Sequence, residues 1–297
     1  MALDPHVDYI IRSGLVVDGS GREPFYADVA VKGDRIVEIG KDLSLSGAEN
    51  VDAKGCIVTP GFVDVHTHYD GQAIWSERLA PSSEHGVTTV ALGNCGVGFA
   101  PCRAVDRELL VSVMEGVEDI PEIVMTEGLS WNWETFPDYL NALNMRHRDI
   151  DVAAFIPHSA LRVFVMGARG ANREPATSDD LVQMASLVFE ALLAGAIGFA
   201  TANVSVHRTS SGDPTPTFGA AEDELMAIAG AMRKAGRGVF QILVDLSVGS
   251  LDGHIRLLSR LSLASGRVVT FTLMQLNNRP TAWREVPAQP NAAPPHP

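Results

Sequence analysis

From residue 177 to residue 273 the chain repeats one plan, an amphipathic helix, a glycine stop and a short apolar strand, and that plan leaves few folds open. Thr177 and Asp180 form a T-x-x-D cap, Leu181, Met184, Val188 and Leu192 follow at helical spacing, and Gly195 ends the helix before the apolar run Ile197-Gly198-Phe199-Ala200-Thr201. Leu225, Ile228, Ala229 and Met232 restate the stripe before Gly236 and a strand at residues 239–244. Ile255, Leu258 and Leu261 do so again before Gly266 and a strand at residues 268–273. Strands separated by single helices pair in parallel, because each right-handed crossover returns the chain to the same end of the sheet.

Three earlier strands extend the series. Residues 86–92 run into Gly93-Asn94-Cys95-Gly96-Val97-Gly98, and residues 152–156 end in a loop, Pro157-His158-Ser159. Before both lies Gly61-Phe62-Val63-Asp64-Val65-His66-Thr67-His68-Tyr69-Asp70, whose Phe62, Val63 and Val65 read as a fully buried strand. Six parallel strands fall short of the eight a closed (β/α)8 barrel needs. Residues 277–297 hold Pro280, Pro287, Pro290, Pro294, Pro295 and Pro297 and are poorly suited to two more units. The expected fold class is therefore α/β, a TIM-type barrel that is incomplete at about six strands, over residues 59–285, with a Pro/Ala-rich tail at 286–297. Residues 1–58 instead show short strand-like runs, a hairpin from 27 to 39 and turns at Asp18-Gly19, Gly33-Asp34 and Lys54-Gly55, the pattern of a small N-terminal β-sandwich segment. The excursion between the second and third barrel strands holds a helix at about 104–117 and Trp131-Asn132-Trp133-Glu134-Thr135-Phe136-Pro137; its length marks it as part of a lid.

A net charge of −13 with no Lys/Arg run argues against nucleic acid or an anionic membrane as partner. The three cysteines, Cys56, Cys95 and Cys102, do not make a disulfide framework, and the N-terminus lacks the basic and apolar regions of a signal peptide. No stretch nears the roughly 18 apolar residues of a membrane helix. A cytoplasmic protein is expected, of open oligomeric state.

Active sites of parallel barrels gather at the C-terminal strand ends. His66 and His68 stand at such an end, and alternation along an extended chain points both rings the same way, so the pair can hold one transition metal, zinc being the commonest for nitrogen ligands. The competing reading is a pair of surface histidines beside a turn. Cys95, in a glycine-rich turn after the second strand, is a third ligand or a buried small hydrophobe. His158 after the third strand, Arg162, and His207 and Arg208 in the polar loop after the fourth are candidate substrate contacts, with Arg169 as another cation and Gln241 or Asp245 on the fifth strand. Cys56 and Cys102 lack such placement, as do His85, His147, His254 and His296. A metal here implies assisted hydrolysis, which also needs a carboxylate base. Asp64 points away by strand alternation and Asp70 lies past the turn, so the sequence identifies no base.

The run from Val58 to Asp70 resembles the metal-dependent amidohydrolase superfamily, and Gly93-Asn94-Cys95-Gly96, the Trp131 to Phe136 segment and His158-Ser159-Ala160-Leu161-Arg162 resemble its N-acyl-D-amino-acid deacylase, or D-aminoacylase, branch. The resemblance implies a TIM-type barrel with a small β-sandwich, one or two Zn2+ ions on His66, His68 and Cys95, and a small-molecule N-acyl-D-amino acid hydrolysed by metal-activated water. That branch uses the cysteine where many relatives use a carboxylated lysine, and the fourth strand here has no lysine. The histidines the branch carries on strands five and six are replaced by Gln241 and the Leu273-Met274-Gln275 region, and its catalytic aspartate on strand eight has no counterpart. A truncated or frameshifted member is expected. The alternatives are a cyclic-amide hydrolase of the hydantoinase or dihydroorotase kind, and a non-catalytic fragment without a base.

Overall fold

Alternating β-branched and polar residues, broken by Gly33-Asp34, make the first sheet. The computed structural model describes residues 6–245, 250–275, 277 and 280–285. It divides into two units, Met1–Phe62 and Val63–Pro297. In the first, β1 (Tyr9–Val16), β2 (Phe25–Lys32), β3 (Arg35–Gly40), β4 (Glu49–Asp52) and β5 (Ile57–Val58) form one sheet in the order β3-β2-β1-β4, with β5 also beside β1. The expected β-sandwich segment thus takes the form, among the described residues, of a single sheet. Its register shifts between Ile11 and Gly14. At Gly14 a Cβ would lie 2.4 Å from Val58 Cγ2, so the close approach of β5 requires glycine.

The second unit is built on β6 (Phe62–Asp64), β7 (Val87–Leu92), β8 (Asp151–Pro157), β9 (Gly198–Asn203), β10 (Val239–Val244) and β11 (Val269–Phe271), which lie side by side in sequence order. Pairing from β7 through β11 is parallel. The sheet curls: Val63, Ala91, Phe155, Ile197, Val239 and Phe271 line one cavity of about 460 Å³. The helices are α1 (Gln72–Trp75), α2 (Arg107–Glu118), α3 (Glu122–Gly128), α4 (Phe136–Asn144), α5 (His158–Met166), α6 (Ala168–Ala171), α7 (Ser178–Ala194), α8 (Glu222–Ala235) and α9 (Leu251–Ser265). α7 begins at the predicted cap, where Thr177 and Asp180 satisfy each other's backbone N–H groups. Met184, Val188, Leu192, Ile228, Ala229, Met232 and Leu261 are wholly buried, which places the three predicted stripes against the sheet. No helix of the described residues is long and apolar enough to cross a membrane.

Several expectations are corrected. Phe62, Val63 and Val65 are 57%, 61% and 68% exposed rather than buried. The reason is topological: β6 is an edge strand with one strand neighbour among the described residues. The excursion between β7 and β8 is a buttress rather than a lid. Trp133, Phe136 and Tyr139 are core residues; Trp133 Nε1 donates to Phe99 O (2.8 Å) and Tyr139 Oη to Asp70 O (2.9 Å). Its α4 carries a second T-x-x-D cap, Thr135 and Asp138, unread in the sequence. The loop expected at residues 157–159 is the start of α5. The expected 286–297 tail lies outside the described residues.

The α7 cap gives a direct test. Thr177→Ala removes the hydroxyl that accepts from Asp180 N, and should cost about 1 kcal/mol, seen as a lower urea midpoint at unchanged slope.

Candidate metal centre

Where β6 ends, Thr67 anchors the chain to β7: its N–H and hydroxyl both donate to Ala91 O, at 3.1 and 2.7 Å. With Thr67 turned inward, His66 and His68 fall on one side, their rings edge to face at a centroid distance of 5.5 Å. Opposite them the chain makes a short 3-10 turn at Asn94–Gly96. Cys95 sits there at φ 56°, ψ 8°, the left-handed region, which costs a non-glycine residue roughly 1–2 kcal/mol. Its neighbours explain how it is held. A Cβ at Gly93 (φ +79°) would meet Phe155 O at 2.3 Å, and one at Gly96 (φ +69°) would meet Thr201 Cα at 2.9 Å, so the backbones beside and above the turn accept only glycine. The turn brings Cys95 Sγ to 3.2 Å from His66 Nε2. Ligand atoms of His66, His68 and Cys95 all lie within 4.8 Å of one another.

The surroundings set the protonation of this cluster. Burial, then the neighbouring His66 and His207, lowers His68 to about 3. Burial also lowers His66 and His207. Their lone pairs are therefore available near neutrality. Burial, then Glu118 and Asp70, pushes the Cys95 thiol up to about 12, so a cation is what would draw out its proton. Asp70, wholly buried behind the turn, is raised to about 7 by burial, and so is Glu118, by burial and then Asp119. His68 Nδ1 and His207 Nδ1 are buried without hydrogen-bond partners. Two neutral imidazoles and a thiol fit a divalent ion of borderline softness.

The structure brings together only part of the predicted set. His207, carried in on the loop after β9, lies within electrostatic range of His66 and His68. Glu118, the last residue of α2, has Oε1 3.2 Å from His68 Nε2; strand-end reasoning had no means to find it. Arg208 is exposed and its Nη1 donates to Gly212 O within its own loop (2.9 Å). Gln241 is buried in the wall of the curled sheet, with neither side-chain polar atom paired. Asp245 accepts from Ser205 Oγ (3.0 Å), and Arg169 pairs with Asp180 (2.8 Å). His296 is outside the described residues.

His158 and Arg162 require a correction: they are internal and offer a substrate no face. His158 is 0% exposed and Arg162 2%. Glu224 binds both, accepting from His158 Nε2 at 2.6 Å and from Arg162 Nη1 at 2.8 and 2.6 Å. His158 Nδ1 faces Thr201 Oγ1 at 2.8 Å, and Arg162 Nη2 donates to Glu174 O at 2.8 Å. Because α5 starts directly from β8, its first turn is trapped between β9 and α8. The signal for Glu224 was present: it falls four residues before Ile228 on the buried stripe of α8. The charged carboxylate is held below its ordinary value, against burial, by His158 and Arg162, while burial keeps His158 neutral.

Comparison with known proteins adds a lineage to this geometry. The sequence model of a family described as the amidohydrolase family matches residues 49–293. The chain is 36% identical over 195 residues to a D-aminoacylase of Alcaligenes xylosoxydans xylosoxydans, covering 65% of this chain and 37% of that protein. It is 34% identical over 194 residues to the N-acyl-D-aspartate deacylase of the same organism, covering 65% of this chain and 36% of that protein. Among solved structures, a D-aminoacylase studied for the role of its binuclear metal centre superposes with a TM-score of 0.71 at 31% identity, over 89% of this chain and 51% of that one. The curled six-strand sheet is accordingly an incomplete TIM-type barrel. The chain spans about half the length of that structure and a smaller share of the curated relatives.

Two measurements test the buried triad. Glu224→Leu strands Arg162 without its counter-charge and should cost roughly 3–5 kcal/mol in urea unfolding, whereas Glu224→Gln, which keeps an acceptor, should cost less. For His158 the sign follows from its lowered value: below the ordinary 6.5 the unfolded chain takes up a proton that the buried ring refuses. The stability advantage of wild type over His158→Gln should be full above that value and shrink as pH falls below it.

Proposed function

We propose, from the premise that this chain belongs to the amidohydrolase family, that it holds zinc, as one or two ions, on His66, His68 and Cys95 and hydrolyses the amide of an N-acyl-D-amino acid. The observation that carries this reading is the strained Cys95 turn meeting the His66/His68 pair within ligand distance. A left-handed cysteine wedged between two strands places backbone strain where three soft and borderline donors converge. The D-aminoacylase and N-acyl-D-aspartate deacylase relatives support the substrate class.

A bound divalent ion would polarise the acyl carbonyl and make a water acidic enough to attack near neutrality. The chain's own residues supply the binding and the orientation. Thr67 fixes the two imidazoles through Ala91, and burial keeps them unprotonated so that they bind without first losing a proton. Cys95 would hold the ion as a thiolate, its proton released to solvent, and would contribute a negative charge that partly neutralises it. The loop after β9 offers His207, with an unpaired Nδ1, to hydrogen-bond the acyl-amino acid, and Arg208 as the exposed cation for its carboxylate.

Metal analysis and turnover on the full chain test this. Zinc should co-purify and be lost in His66→Ala, His68→Ala and Cys95→Ser. N-acetyl-D-methionine should be hydrolysed in preference to its L form and to a hydantoin. Absence of metal in the wild type defeats the reading; tight zinc with no turnover of any of the three identifies a metal-binding chain without a base. Calorimetry in buffers of different ionisation enthalpy should show about one proton released per zinc, from Cys95, and affinity that rises with pH.

A further inference from the structure

We infer that the cavity enclosed by the curled sheet takes the acyl group of the substrate, a straight apolar chain longer than acetyl, and that Gln241 is the positioning residue for the amide at its head. The inference rests on the hydrolysis proposed above and names its acyl group. The cavity holds about 460 Å³, within the range of small-molecule pockets, and it begins at the candidate centre. His66 lines it, and so does Asn94, the residue before Cys95.

The walls follow from strand alternation. In β10, Phe240 and Ile242 join the main core beneath the helices, while Val239 and Gln241 turn to the concave side. Ala153 and Phe155 of β8 and Ala91 of β7 line the same cavity, and Ala91 and Phe155 form with Ala200 a small apolar cluster against which Val239 packs. Ala153 and Ala91 are partners in the register, so two small side chains leave room between them and the opposite wall. A straight hydrocarbon suits such walls, because it gains by leaving water and needs no hydrogen-bond partner.

The polar members of the wall show which end of the ligand is polar. Gln241 is 3% exposed, and neither its Nε2 nor its Oε1 has a hydrogen-bond partner. Asn94 is wholly buried; its Nδ2 donates to Ala91 O (2.9 Å), and its Oδ1 is unpaired. Buried polar groups are nearly always paired, and one left unpaired in an apolar wall is costly unless a ligand completes it. An amide answers this need, since it carries both a donor and an acceptor to set against those of Gln241. Along β10 Gln241 follows Val239, so the polar group lies nearer the C-terminal strand ends, where the centre is. Metal centre and amide groups toward one end, apolar walls beyond, is the order of groups along an N-acyl amino acid with an extended acyl chain.

The test is binding of straight-chain primary carboxamides, propanamide to octanamide, to the full chain by calorimetry, with turnover of the matching N-acyl-D-methionines measured alongside. Affinity should rise roughly fourfold per added methylene until the cavity is full. Ala153→Phe, which puts a ring among the walls, should bring that plateau to a shorter chain; if it does not fold, Val239→Ala, which enlarges the cavity, should move the plateau to a longer one. Gln241→Leu should weaken every amide by a similar factor, roughly 2–12-fold, and leave the rise per methylene unchanged. The same substitution should raise the urea midpoint, because an unpaired amide leaves the interior; a merely structural residue would not lose binding and gain stability together. Wild-type affinity that ignores chain length, with N-acetyl-D-methionine still hydrolysed, would overturn this inference alone, and unchanged binding in Gln241→Leu would overturn the role of that residue. Length-dependent binding with no turnover of any N-acyl-D-methionine would support the cavity and overturn the proposed hydrolysis.

Discussion

The candidate site depends on one steric fact: the turn at Cys95 is pressed between the backbones of β8 and β9. Phe155 O lies 2.3 Å from where a Gly93 Cβ would be, and Thr201 Cα 2.9 Å from where a Gly96 Cβ would be. With both flanks closed, Cys95 is driven into the left-handed region and its sulfur toward His66. The parallel sheet thus acts as a mould. Its strand spacing fixes the turn, and the turn fixes the thiol, without any covalent link between the strands that supply the donors. Strain of this size is small beside the burial of the surrounding core, which includes Leu92, Val97, Phe99 and Ile156.

A second constraint lies behind the first. One fully buried carboxylate, Glu224, joins α8 to α5, His158 joins α5 to β9 through Thr201, and Thr201 is the residue whose backbone confines Gly96. Buried ion pairs are a weak source of net stability, because desolvation offsets most of their attraction. What they provide is a fixed geometry, since any displacement leaves a charge unpaired in the interior. Here that geometry is the wall against which the Cys95 turn is packed. The excursion between β7 and β8 does the same on the other side, with Tyr139 bonded to Asp70 O and Arg148 to Ala73 O.

Much of this was legible in the residues. The helical stripes and glycine stops located α7, α8, α9 and the strands that follow, because apolar periodicity and helix termination are local properties. The H-x-H pair at a strand end was legible for the same reason, since alternation alone puts both rings on one side. The exposure of Phe62, Val63 and Val65 was not, because burial of a strand depends on its place in the sheet, and nothing in the run shows that β6 is an edge. Nor were His158 and Arg162 legible as internal residues. Their burial depends on Glu224, 66 and 62 positions away, supplying the partner that makes a buried cation tolerable.

The sequence by itself determined the fold class, the parallel strand-helix alternation and the lineage, because each rests on short-range patterns that survive in any surroundings. It also named His66, His68 and Cys95 individually. Only the tertiary structure decided that their donor atoms converge, that Glu118 rather than Asp64 or Asp70 stands against His68, and that His158 and Arg162 are sealed in the wall behind the site. These outcomes turn on distances between segments far apart in the chain. Such distances are fixed by how closely one backbone can approach another, a quantity written in no single stretch of sequence.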